Sequence, residues 1–171
     1  YKNKFMLLKK IFIIIIITLF SLNAFANTPR STGKYKNWES FVAETEKGKI
    51  CFAQTLPTKR APAAIQRDQS KLFVTFRPAE NIKDEVSITS GHDYKSSSVT
   101  ASSGKKKYSF FSQKDFAWLL DDQEEKNFIK LMQRATDLIV KARNGNGAET
   151  TDHYSMMGFT KAYNTAKKTC G

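Results

Sequence analysis

The chain has 171 residues, of which 40% are hydrophobic and 26% charged, and its formal net charge is +12. That length holds one domain with a real core and is too short for two comfortable ones. The composition excludes a disordered chain, and the charge fits either polyanionic partners or simple solubility.

Residues 1–26 read as separate from the domain. Lys9 and Lys10 precede the apolar run 11–20, and Ala24-Phe25-Ala26 follows it. A basic start, a short apolar stretch and a small-x-small site make a Sec-type signal peptide cleaved after Ala26. The apolar stretch is about half of the roughly 20 residues that a spanning helix needs, so no transmembrane span is expected after cleavage. Asn27 would then lead the mature chain, with no cysteine there for a lipid anchor. The sequence starts at Tyr1, but Met6 opens a signal peptide of ordinary length and is the expected natural start. Loss of residues 1–26 removes four lysines and no acids, so the charge falls from +12 to +8.

The mature chain begins with polar residues 27–36, including Pro29 and Gly33, which read as a flexible lead-in to a domain spanning 37–171. Residues 37–44 and 49–55 alternate like strands around the turn TEKG. The stretch 55–70, with Pro57 and Pro62, reads as a long loop. Residues 71–78 are apolar enough for a central strand, stopped by Pro78. Residues 84–91 alternate at Val86 and Ile88. A second hairpin is expected to turn at 102–105, where Lys105, Lys106 and Lys107 form the one basic run and a possible contact patch. Phe73, Phe76, Tyr108, Phe110, Phe111 and Trp118 read as core rather than as a nucleic-acid stacking platform.

Residues 121–136 carry the clearest helical signal. Asp121 caps with Glu124 three residues on, acids crowd the first turn, and Lys130 and Arg134 sit in the last. The expected buried stripe is Phe128, Leu131, Met132 and Ala135. Residues 137–143, the NGNG turn and residues 148–156 form a third hairpin. A last helix follows Gly158, with Phe159, Ala162, Tyr163 and Ala166 on one stripe. The expected fold class is mainly β: an antiparallel β-sandwich-like domain with one inserted helix and a C-terminal helix.

The two cysteines, Cys51 and Cys170, bear on compartment. Export allows them to pair. Cys170 falls about 20° from the apolar stripe of the last helix, at 100° per residue, so its thiol points at the core. A Cys51–Cys170 disulfide is the expected pairing. The competing readings are two buried free thiols, or a metal or catalytic cysteine. Two cysteines and two histidines without CxxC or HxxxH spacing make a poor metal set, and no metal or cofactor is expected.

Several segments in order resemble one family: NWESFVAETEKGKICFAQTLPTK, FVTFRPAENIKDEVSITSGHDYK, FFSQKDFAWL and LIVKARNGNGAETTDHYSMMGFTKAY. Together they cover roughly residues 38–170 and resemble the invasion-associated locus B family of Gram-negative bacteria. The resemblance implies a β-sandwich of the cell envelope or the secreted fraction, in a family named for host-cell invasion by pathogens. It brings no catalytic residue. The implied function is non-enzymatic: binding of an envelope or host-surface protein or glycan by a periplasmic or secreted protein, with no nucleic acid involved. The alternatives are an exported hydrolase with an unrecognised site and a generic basic polyanion binder. Candidate residues for catalysis are few. Asp121, Asp122, Glu124 and Glu125 are explained as a helix first turn. His92 with Asp93 and His153 with Asp152 read as solvated polar residues near turns. Trp38, Trp118 and Tyr94 are candidates for a ligand face.

Overall fold

A computed structural model describes residues 28–171. The proposed signal peptide, residues 1–26, lies outside them. Eleven strands run β1 Arg30–Tyr35, β2 Trp38–Thr45, β3 Gly48–Thr55, β4 Lys59–Ala61, β5 Lys71–Arg77, β6 Ile82–Thr89, β7 Val99–Ser103, β8 Lys106–Gln113, β9 Phe116–Trp118, β10 Asp137–Arg143 and β11 Glu149–Ser155. Helices α1 (Asp122–Arg134) and α2 (Phe159–Cys170) and a short 3-10 turn, Pro78–Glu80, complete the described residues. All strand pairs are antiparallel, in the order β1-β2-β3-β5-β6-β9-β8-β7-β10-β11-β4. The fold is thus mainly antiparallel β with one inserted and one C-terminal helix, as the hairpin pattern implied.

Period-two alternation sets the inner face. Trp38 and Val42 of β2, Leu72 and Val74 of β5, Val86 and Ile88 of β6, and Leu138 and Val140 of β10 all join one buried core. The helices pack on the same inner side. Phe159 of α2 lies 4.8 Å from Trp38 and Tyr163 lies 5.6 Å from Phe76, ring centre to ring centre. Phe128 of α1 meets Tyr108 and Phe110 at 5.1 and 5.4 Å. The Asp121 carboxylate accepts the Glu124 backbone N–H at 2.8 Å, the expected cap. The inner stripe of α1 differs in detail: Glu125 and Ile129 are buried beside Phe128 and Met132, while Leu131 and Ala135 are half-buried.

Two segments differ from the sequence reading. Residues 30–35 are no flexible lead-in. They pair with β2 as β1, with a register shift between Ser31 and Gly33. Tyr35 anchors the strand through a 2.9 Å hydroxyl contact with Thr165 on α2. The polar composition reflects an edge strand that buries little. The stretch 55–70 is likewise not all loop, because β4 pairs with β11 between the two prolines.

The Cys51–Cys170 disulfide is present, with Cα atoms 5.7 Å apart and a sequence separation of 119. It joins fully buried Cys51 on β3 to the last turn of α2. Gly158, at φ 98°, starts α2. A side chain there would run into the Tyr35 carbonyl oxygen, so the sharp entry requires glycine.

Candidate functional site

The outer face of the sheet carries two chemically distinct regions that meet on β8. The first is aromatic. Cross-strand pairing aligns Phe41, Phe52 and Thr75 in one row, and Gln54, Phe73, Ser87, Trp118 and Phe111 in the next. Phe41 stacks on Phe52 at 5.1 Å, Phe52 meets Phe73 at 6.1 Å, and Phe116 stacks on Trp118 at 5.9 Å. These rings are half-buried, and Phe111 is 54% exposed. Phe52, Phe73, Phe116 and Trp118 line a shallow groove of about 350 Å³. Arg77 also lines it, held at 2.9 Å by Glu85, while its Nε makes no hydrogen bond among the described residues and lies 3.8 Å from the Glu80 carboxylate. Both helices pack on the opposite side of the sheet, which leaves this face open among the described residues.

This arrangement corrects part of the sequence reading. Phe76 and Phe110 are core, and Tyr108 packs against it. Phe73, Phe111 and Trp118 instead face outward, because on their own strands they alternate with the core residues Leu72 and Val74, Phe110, and Ala117. Trp38, a candidate for a ligand face, is fully buried and donates its indole N–H to the Ser155 carbonyl at 2.9 Å. Trp118 does lie on the outer face. Tyr94 is half-buried and donates its hydroxyl to Ser90 at 3.0 Å.

The second region is basic and rich in hydroxyls. Lys107, Ser102, Ile139, His153 and Lys59 form one outer row across β8, β7, β10, β11 and β4. A depression of about 330 Å³ gathers Lys95, Lys107, Lys141 and Arg143 around the Ser96–Ser98 loop, with Glu149 as its one acid. Of the run Lys105, Lys106 and Lys107, all exposed, only Lys107 lines this depression. Sequence order hides the rest, because Lys95, Lys141 and Arg143 come from other segments.

The carboxylates of the α1 first turn are not equivalent. Glu125 is buried, and its Oε1 accepts the Val86 backbone N–H at 3.0 Å, where the β6–β9 ladder has already ended. Burial first, then the charges of Glu85, Asp122 and Asp84, raise its pKa to about 7, against the Val86 hydrogen bond. A cleft of about 460 Å³ adjoins it, lined also by Asp84, Glu85, Asp121 and Asp122. Among the described residues no group of three or more His, Cys, Asp and Glu is placed to hold a metal ion.

Asp152 is not a solvated turn residue. It is 1% exposed and takes two hydrogen bonds from Arg67, at 2.6 and 2.8 Å. Arg67 also donates to Ser70 and to the Ser90 carbonyl, so the guanidinium is nearly saturated. His92 contacts Thr150 at 2.9 Å and the Asp93 carbonyl at 3.0 Å. His153 faces outward on β11, so the two histidines do not converge on one nucleophile. The hydroxyl of fully buried Tyr154 has no hydrogen-bond partner among the described residues, and burial raises its pKa.

No family model, curated protein or solved structure matches this chain.

Proposed function

We propose that this is an exported, non-enzymatic protein of the periplasm or secreted fraction that binds a protein or glycan partner through the aromatic outer face. The observation that carries this reading is the contiguous row of half-exposed rings on a face that neither helix covers. Isolated surface aromatics need no explanation, but a shared patch of them marks an interaction surface. The Cys51–Cys170 bridge supports the exported reading, since it is compatible with an oxidising compartment. The signal-like residues 1–26 and the resemblance to the invasion-associated locus B family point the same way. Among the described residues no helix is long and apolar enough to cross a membrane.

The test is a crosslinked pull-down with the oxidised protein against whole envelope extract, at low and high salt. Phe111→Ala and Trp118→Ala are compared with wild type after circular dichroism has shown each to be folded. A discrete partner kept at high salt and lost in both variants supports the proposal. Capture of only heterogeneous, salt-labile material, equal in all three proteins, refutes it.

A further inference from the structure

We propose that the outer face takes an acidic glycan, laid across β8. Its anionic groups meet Lys95, Lys107, Lys141 and Arg143, and its sugar-ring faces meet Phe111 and Trp118. This inference rests on the partner-binding reading above and names the chemistry of the partner.

Charge provides the first argument. Four cations and one carboxylate surround the depression on the β7–β10 side. The carboxylate, Glu149, lies 3.7 Å from Lys141, with both side chains more than half exposed, so it is a weak competitor for a bound anion. The backbone beneath is fixed. Arg143 donates its N–H to Ser98 Oγ at 3.1 Å and accepts the Lys95 N–H at 2.8 Å. The stems of Lys95 and Arg143 thus leave from anchored positions, and the ordering cost falls mainly on the side chains. Ser96, Ser97 and Thr100 add hydroxyls that both donate and accept, which suits the hydroxyl groups of a sugar.

Continuity with the aromatic region provides the second. Lys107, Ser109 and Phe111 share the outward parity of β8, alternating with partly buried Tyr108 and buried Phe110. They place a cation and a 54% exposed ring about 13 Å apart on one surface. Phe111 lies opposite Trp118 across the β8–β9 ladder. An occupant of the whole strip needs anionic groups at one end and apolar ring faces at the other, and an acidic polysaccharide carries both along its length. Single-stranded nucleic acid also combines charge with rings, but it calls for separate aromatic faces for successive bases. Here Phe116 covers one face of Trp118, with an interplanar angle of 22°, so a single free face of Trp118 remains beside Phe111, enough for a sugar ring but not for a run of successive bases.

The experiment titrates the oxidised protein with hexagalacturonate, a heparin hexasaccharide, neutral chitohexaose and an oligo(dT) of similar length, at several salt concentrations. The expected result is that one or both acidic oligosaccharides bind more tightly than chitohexaose and oligo(dT). Lys107→Glu with Arg143→Glu should weaken that binding at least tenfold and flatten its salt dependence. Phe111→Ala should weaken it several-fold at every salt concentration. Tighter binding of oligo(dT), or an unchanged affinity in the double charge variant, overturns the proposal. Should no acidic oligosaccharide bind while envelope capture still depends on Phe111 and Trp118, the glycan inference fails and the partner-binding reading stands. Should capture fail as well, both fall.

Discussion

Glu125 should make this protein less stable as pH rises toward neutrality, the reverse of the usual behaviour of a carboxylate held by a positive partner. Its ordinary pKa of 4.5 is raised to about 7 in the fold. The folded state therefore prefers the protonated carboxyl. No cost arises below about pH 4.5, where folded and unfolded chains are both protonated. Between pH 4.5 and 7 the unfolded chain releases its proton and the folded one resists, so stability falls; above pH 7 the loss levels off. At about 1.4 kcal/mol for each tenfold change, the rise from 4.5 to about 7 amounts to an upper bound of roughly 3–4 kcal/mol. Glu125→Gln keeps a carbonyl oxygen for the Val86 N–H and cannot ionise. It also relieves repulsion from Glu85, Asp122 and Asp84. Urea denaturation of both proteins at pH 4.5, 6, 7 and 8.5 isolates the effect of Glu125 and the carboxylates coupled to it, because the remaining titrations cancel in the difference. Near pH 4.5 the two should agree within about 0.5 kcal/mol, and at pH 8.5 the variant should be more stable by roughly 2–3 kcal/mol. A difference independent of pH, or a variant weaker at pH 8.5, would refute the reasoning.

Three further outcomes follow from the packing. Replacing both Cys51 and Cys170 by alanine opens a loop with a sequence separation of 119 and should cost about 4 kcal/mol in denaturant unfolding; a loss below 1 kcal/mol would contradict the chain-entropy account. Asp152→Ala leaves the Arg67 guanidinium buried beside no carboxylate of comparable geometry, at a cost of about 3–5 kcal/mol, whereas the same change at exposed Glu149 should shift the melting curve little. Gly158→Ala puts a methyl group against the Tyr35 carbonyl at a φ of 98°, so a loss of at least about 1 kcal/mol is expected; an unchanged melting temperature would mean that the α2 entry relaxes freely.

What the sequence made legible follows the strength of local signals. Strand β10 occupies the expected 137–143, because Leu138, Val140 and Ala142 alternate cleanly with Ile139, Lys141 and Arg143. The α1 cap and the α2 stripe were readable for the same reason, as was the pairing of the only two cysteines. The misses were segments held by distant partners. β1 and β4 are polar edge strands whose backbone pairing leaves no hydrophobic trace. In β5 the run Leu72-Phe73-Val74 looks buried on both faces, yet Phe73 joins the outer aromatic row. Glu125 could not be told from its exposed neighbours, since a first-turn acid has the same spacing whether solvent or a strand lies opposite. The basic depression draws on β8, β10 and the loop after Tyr94, so only the strand order assembles it.

The Arg67–Asp152 pair has a consequence for how the molecule meets proteases. Residues 55–70 look like an ideal cleavage site: proline-punctuated, rich in Lys and Arg, and joined to the rest by a three-residue strand. Yet a trypsin-like enzyme must draw the Arg67 side chain into its own specificity pocket, and that side chain is 2% exposed and held by Asp152, Ser70 and the Ser90 carbonyl. Freeing it strips a buried carboxylate of its main partner beneath β11. A nick after Arg67 thus records that the domain had already opened, while a nick in the exposed Glu46-Lys47 turn records only surface access.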